Sequence, residues 1–264
     1  VLAQSYANWE LILVDDGSSE DNKIALFKLR DTFDNPRIKI LELPCNVGKG
    51  AALNEGMDLS QGEIITFLDA DDMLLPWHLE EINRAFTDNP ESTLVHTYNI
   101  LYINILPKTS IFAFTTYDTA LKQDAFASPR DIEAQAICPR LSLRRTVADM
   151  IRYDSSINCD REMILQLASI DELLSKKCFL SRTGYLYRNH RSKDRLRYKL
   201  KTIIAERNIY FQRYSGRNPA ADGIIAEWKK NNPLVKYSHI FSSTSFCQTL
   251  LNVLTSRQKP KERF

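Results

Sequence analysis

Three carboxylates, Asp69, Asp71 and Asp72, follow directly on Ile64-Ile65-Thr66-Phe67-Leu68, an apolar and β-prone run. Parallel strands buried on both faces read as near-continuous apolar runs of this kind, and ligands in open α/β sheets bind just beyond the strand ends. Clustered carboxylates repel one another, so they suit either water or a cation. An oxygen-only set at this density matches Mg²⁺ or Mn²⁺, which commonly keeps substrate phosphates among its ligands. Two further features share the pattern. A short apolar run over 11–14 ends at Asp15-Asp16-Gly17-Ser18-Ser19, and Asn46-Val47-Gly48-Lys49-Gly50 opens a helix. An isolated D-x-D is equally at home in a solvated acidic turn. Two acidic turns with a glycine-rich helix entrance between them point instead to a nucleotide. One acidic turn meets the base or ribose, a metal on the other meets the diphosphate, and main-chain amides line the remainder.

Rival motifs fit less well. A Walker-type phosphate loop needs G-x-x-x-x-G-K-[ST], but position 43 is Leu and position 50 is Gly. A calcium loop starting at Asp69 needs an oxygen ligand at Met73 and a glycine at Leu74. A dinucleotide fingerprint lacks its third glycine, because Leu53 stands there. A haloacid-dehalogenase-like phosphatase also places D-x-D after an apolar strand. Here Met73 takes the place of the expected Thr or Val, and the strand comes third in order instead of first.

The elements that must position these residues alternate over 1–97, the pattern of a parallel sheet covered by helices. Strands are expected at 11–14, at 37–43 and up to Asp69, with one or two more over 92–105. Helices are expected over 21–33, capped by Ser19 or Asp21, from Asn46 to Leu59, and toward Phe86 with Pro76 in the first turn. Residues 107–130 have weak periodicity and read as a long loop or lid. A helix is expected over 161–170 and strands around Gly184 over 178–187. Beyond Asp194 the chain reads as helical, with Pro219 and Pro233 as breaks. The expected organisation is a nucleotide-sugar-binding half over 1–97, an acceptor-binding and catalytic half of the same domain over 98–194, and a helical extension over 195–264.

The residues quoted above carry a resemblance. Val1-Leu2-Ala3-Gln4-Ser5-Tyr6, Trp9 through Ser19, Asn46-x-Gly48-x-Gly50-Ala51-Ala52-x-Asn54-x-Gly56 and Gly62 through Asp72 follow the order and spacing of family 2 glycosyltransferases. That resemblance implies an α/β fold of the GT-A type, with a mostly parallel central sheet flanked by helices. It implies an inverting transfer from a nucleotide-diphosphate sugar donor to a saccharide or lipid-linked hydroxyl acceptor. The nucleotide falls to Asp15, Asp16, Asn46, Gly48, Lys49, Asp69 and Ala70, and the metal, Mn²⁺ or Mg²⁺, to Asp71. Inversion needs a general base on the face opposite the leaving nucleotide. The family places an acidic residue at a helix start in its second half, which is Asp160 here, with Cys159 where Glu is usual and Glu162 as the fallback. Asp160 is also a suitable N-cap. Tyr187-Arg188-Asn189-His190-Arg191-Ser192 resembles a segment near the end of the family's catalytic domain, which makes His190 a second expected ligand of metal or diphosphate, with Arg188 or Arg191 neutralising charge. Trp9, Trp77 and Trp228 read as packing residues, Trp77 being the nearest to the D-x-D.

Composition sets outer limits. The chain has 264 residues, 44% hydrophobic and 26% charged, with a net charge of +2. That balance gives no electrostatic case for nucleic acid. A basic cluster, Arg182, Arg188, Arg191, Lys193, Arg195, Arg197, Lys199 and Lys201, reads as a solvated helix face or as a peripheral contact with an anionic membrane. Five cysteines without C-x-x-C spacing argue for a reducing compartment and against a disulfide framework or zinc knuckle. The expected location is the cytoplasm or the inner face of its membrane. The chain starts at Val1 in what reads as mid-helix, and the family's first strand, central in its sheet, is expected ahead of it. The chain thus reads as a fragment with an apolar slot between neighbouring strands and part of the base site missing. Two alternatives follow: an inactive fragment that binds a nucleotide sugar, and a phosphatase with Asp69 as nucleophile.

Overall fold

Leu11–Asp15 (β1) and Ile38–Glu42 (β2) pair in parallel, Leu11 opposite Ile38 and Asp15 opposite Glu42. Helix α1 (Glu20–Phe33) connects them as a crossover, the connection that parallel strands require. These elements belong to a computed structural model that describes residues 1–106, 109–114, 141–154, 159–170, 176–188, 209 and 211–231. The chain divides into two compact units, Val1–His190 and Arg191–Phe264. In the second unit, helix α6 (Pro219–Asn231) buries Ala221, Ile224 and Ile225.

The first unit also holds α2 (Lys49–Leu59), β3 (Ile64–Thr66), β4 (Met73–Leu74), α3 (His78–Asp88), β5 (Leu94–Leu106), β6 (Thr109–Phe114), β7 (Leu141–Arg144), α4 (Arg145–Ala148), α5 (Cys159–Ser169) and β8 (Lys177–Arg188). A six-stranded sheet runs β3-β7-β5-β8-β4, with β6 paired to β5. Its central pair, β5 and β8, is parallel, while β7, β6 and β4 join antiparallel. The core sits on this sheet. Leu94, Leu143 and Tyr185 are fully buried in β5, β7 and β8, as are Met163, Ile164, Leu165 and Leu167 of α5. The continuous apolar run in α5 fits a helix enclosed on several sides.

Several expectations are corrected. The two acidic turns were expected on one sheet, but β1 and β3 belong to separate hydrogen-bonded sheets, since β1 pairs with β2 and β3 with β7. Hydrogen-bond pairing between strands is non-local and leaves no mark in either strand's own sequence. Residues 1–10 form turns and coil in place of a helix. Gln4 explains their placement: its amide donates to Leu75 O at 2.7 Å and accepts the Leu79 N–H at 3.0 Å, satisfying an otherwise orphaned first-turn donor of α3. Pro76 lies two residues ahead of α3. Part of the expected loop over 107–130 is strand β6, which forms a hairpin with β5; residues 115–140 lie outside the described residues. Ser19 takes the N-cap position of α1 without a side-chain cap bond. Pro219 does follow a break, since helix at 211–214 gives way to turn and bend before α6 opens at Pro219, where a missing N–H costs nothing; Pro233 lies outside the described residues. Strand β5 crosses residue 97, so the two expected halves share a strand.

Candidate active site

The loops after β1, β2 and β3 meet through side chains, not through a shared sheet. Asp16, beyond the end of β1, accepts the Val47 N–H at 2.7 Å on one carboxylate oxygen and the Gly48 N–H at 3.0 Å on the other. Gly17 permits that approach. It sits at φ +70°, and a Cβ there would lie 2.4 Å from both Asn46 N and the Cys45 carbonyl carbon. Only glycine tolerates both conditions. Lys49, the first residue of α2, pairs through Nζ with Asp69 Oδ1 at 2.8 Å. Asp16, Gly48, Lys49 and Asp69 thus join all three loops in one chain of contacts.

Asp15 has a different character. It is only 7% exposed; Oδ1 accepts the Ser18 N–H at 3.3 Å, while Oδ2 is buried with no hydrogen-bond partner. A buried carboxylate oxygen without a donor is costly, which sets Asp15 apart from the structural carboxylates around it. The sequence left Asp15 and Asp16 as alternatives for the nucleoside. The structure separates them, because Asp16 spends both oxygens on the β2–α2 loop. Helix α2 begins at Gly48 with no side chain capping it, a condition that favours an anion at its N-terminus. Asn46 and Ala70 are exposed on the flanking turns.

The carboxylate oxygens of Asp69, Asp71 and Asp72 lie within 4.8 Å of one another. The third of them is committed elsewhere. Asp72 is buried, accepts the Tyr185 hydroxyl on Oδ2 and accepts the Arg188 N–H at 2.8 Å on Oδ1. Burial pushes its pKa up, these two bonds oppose the shift, and the charges of Asp71 and Asp69 add to it. Burial and the Asp72 hydrogen bond likewise raise the Tyr185 phenol. A hard divalent cation fits this all-oxygen set, with Asp69 and Asp71 as the holders. Tyr185 escaped the sequence reading altogether. Its link to Asp72 spans 113 residues and follows from the pairing of β4 with β8.

Asp160 stands at the second position of α5, inside the first turn. Glu162, the fallback base, is 1% exposed and accepts the Asp154 N–H at 2.8 Å. His190 lies outside the described residues, as do Arg191 through Lys201 of the basic cluster. The two described members of that cluster have structural work. Arg188 donates its backbone N–H to Asp72, a bond that does not engage its guanidinium. Arg182 stands 4.5 Å over the Trp77 ring and pairs with Glu81 at 3.2 Å. That contact occupies a face of Trp77 and supports its reading as a packing residue. Among the described residues no helix is long and apolar enough to cross a membrane.

Comparison with known proteins bears on the family and the fold. The model of the family described as "Glycosyl transferase family 2" matches residues 1–145. A UDP-Glc:α-D-GlcNAc-diphosphoundecaprenol β-1,3-glucosyltransferase, WfgD of Escherichia coli, is 33% identical over 123 residues, 46% of this chain and 47% of that protein. An uncharacterized glycosyltransferase of Haemophilus influenzae is 42% identical over 80 residues, 30% of this chain and 31% of its own length. The chain thus spans about a third to a half of such relatives. Among solved structures, S. aureus TarS 1-349 in complex with UDP superposes with a TM-score of 0.58 at 14% identity, covering 92% of this chain and 69% of that one. The mannosyltransferase PcManGT of Pyrobaculum calidifontis, in complex with GDP-Man and Mn²⁺, superposes at 0.56 with 15% identity, covering 97% and 73%. The fold is the expected α/β arrangement of the GT-A type. Because the family model matches more than half of its length, residues 1–145 of 264, the chain belongs to glycosyl transferase family 2.

Proposed function

We propose that the protein transfers a sugar from a nucleotide-diphosphate donor to a hydroxyl of a saccharide or lipid-linked acceptor, with inversion and with Mn²⁺ or Mg²⁺ held at Asp69 and Asp71. The observation that carries this reading is the buried, partnerless Oδ2 of Asp15, whose neighbour Asp16 is bonded to the β2–α2 loop that Lys49 joins to Asp69 of the carboxylate cluster. An acceptor oxygen in that position suits a base that offers an N–H, as uracil does at N3 and guanine at N1. Lys49 lies between the nucleoside end and the D-x-D, where its ammonium can exchange Asp69 for a donor phosphate. The N-terminus of α2 favours the same negative charge. Asp160 accepts the proton of the acceptor hydroxyl as its oxygen bonds to the anomeric carbon, while the bond from that carbon to the β-phosphate oxygen breaks. A divalent cation supplies Lewis acidity that stabilises the departing diphosphate.

A second reading, nucleotide-sugar binding without turnover, draws on one observation: β1 and β3 share no hydrogen-bonded sheet. Release of UDP or GDP from a nucleotide sugar in the presence of Mn²⁺ separates the two. Membership of a glycosyl transferase family gives the phosphatase alternative no support. The base contact is tested by nucleotide competition. UDP or GDP is expected to bind at least about tenfold more tightly than CDP and ADP, whose facing ring nitrogens are acceptors. Asp15→Ala is expected to remove that preference, the loss of one charge-assisted hydrogen bond. Equal binding of CDP and UDP, unchanged in Asp15→Ala, would overturn the assignment.

A further inference from the structure

Glu162 poses a question that the proposed reaction leaves open. Its carboxylate is almost fully buried at 1% exposure, in a helix whose next three residues, Met163, Ile164 and Leu165, are wholly buried and apolar. Buried carboxylates persist where they are hydrogen-bonded, and Oε2 of Glu162 accepts the backbone N–H of Asp154 at 2.8 Å.

The segment it grips, residues 152–154, is held residue by residue from two helices. Asn54 of α2 clamps Tyr153 in both directions, donating to its O at 2.8 Å and accepting its N–H at 2.9 Å. Gln166 of α5 does the same for Arg152, accepting its N–H at 2.9 Å and donating to its O. Tyr153 sets its ring edge-on to Phe67, 6.4 Å between centroids, just beyond β3. Gly50, beside Lys49 in the first turn of α2, allows the segment to lie against that helix, since a Cβ there would stand 3.0 Å from Asp154 O. Helix α2, through Asn54, and helix α5, which carries Asp160, through Glu162 and Gln166, are therefore bonded to the same three residues.

Apolar packing is non-directional and leaves the axial position of α5 loosely set. Hydrogen bonds with defined lengths set it. From this arrangement we infer that Glu162 is a positioning residue: through the Asp154 N–H it ties the helix bearing the proposed base to the segment that Asn54 clamps onto the donor helix. The inference rests on the transfer reaction proposed above. It also removes Glu162 as an alternative base, since a proton acceptor must reach the acceptor hydroxyl and this carboxylate is sealed in the core on a backbone amide.

Conservative replacement separates the two roles. Glu162→Gln keeps an oxygen that accepts the same N–H, whereas Glu162→Ala does not. Nucleotide release from UDP-glucose, UDP-GlcNAc and GDP-mannose with Mn²⁺ is the readout. Glu162→Gln is expected to stay within about threefold of the wild type. Glu162→Ala is expected to lose about tenfold or more in kcat, with donor KM and UDP or GDP affinity unchanged, the signature of misplaced catalytic geometry. Asn54→Ala attacks the tie from the other side, should Glu162→Ala fail to fold, and is expected to show the same split. A Glu162→Gln variant as inactive as Glu162→Ala would make Glu162 a proton-transfer group and overturn the inference, and so would wild-type kcat in both Ala variants. Wild-type protein that binds neither UDP nor GDP would instead refute the donor site. The tie is then still decided by hydrogen exchange at the Asp154 amide, expected slow in the wild type and Glu162→Gln and fast in Glu162→Ala.

Discussion

At the scale of single residues, the two acidic turns divide their labour between structure and ligand. Asp16 and Asp72 hold the site together, each with both oxygens bonded across loops. Asp15, Asp69 and Asp71 are the candidates for ligand contact. Tyr185→Phe tests the structural half. Losing the hydroxyl leaves Asp72 Oδ2 buried without that donor, a cost of about 1–3 kcal/mol. A fall in the urea midpoint is expected, with weaker Mn²⁺ binding because the turn carrying Asp69 and Asp71 loses one of its anchors to β8, the Arg188 N–H bond remaining. An unchanged midpoint would show that the phenol–carboxylate bond contributes nothing. The acidic residues themselves were legible, since three carboxylates after an apolar run are visible in one dimension. Their division was not. Asp15 and Asp16 are neighbours of identical chemistry, and only the amides of Val47 and Gly48, brought in by folding, distinguish them.

At the scale of elements, helices were read more faithfully than sheet pairing. The 3.6-residue period of 21–33 and 46–59 is local, so α1 and α2 appear within a few residues of their expected ends. Pairing of β4 with β8 or β3 with β7 is decided by partners far along the chain, and no period within either strand reports it. The contact of α3 with β8 gives this scale its own prediction. His78, 1% exposed, packs its ring 6.1 Å from that of Tyr185, and neither ring nitrogen has a hydrogen-bond partner. Burial lowers its pKa from 6.5 to about 4. The unfolded chain takes up this proton near pH 6.5 and the folded chain only near pH 4. Stability is therefore fully present above pH 6.5 and declines as pH falls through this window, by on the order of 3 kcal/mol. Urea unfolding at pH 7 and pH 4.5 checks it, and His78→Phe is expected to flatten the difference. A wild-type difference that survives in His78→Phe would assign it to other groups.

At the scale of the whole molecule, the donor site is assembled by loops that bridge two separate sheets. β1 brings Asp15 and Asp16 and β2 leads into the loop of Asn46 to Gly48, while the six-stranded sheet brings the D-x-D through β3 and its support through β8. The parallel alternation over 1–97 made the α/β class legible, because strand and helix periods alternate in one dimension. The break between β1 and β3 agrees with the slot between neighbouring strands that the family resemblance led one to expect, and their own apolar composition carries no sign of it. The chain of contacts from Asp16 through Lys49 to Asp69 is what makes the parts one site. The most direct test of that account is calorimetric titration of UDP and GDP, with and without Mn²⁺, into the wild type and Asp71→Ala. The account predicts metal-dependent binding of one nucleotide, lost in the variant. Folded wild-type protein that binds neither nucleotide with Mn²⁺ present, or binds one with no dependence on metal or on Asp71, would contradict it.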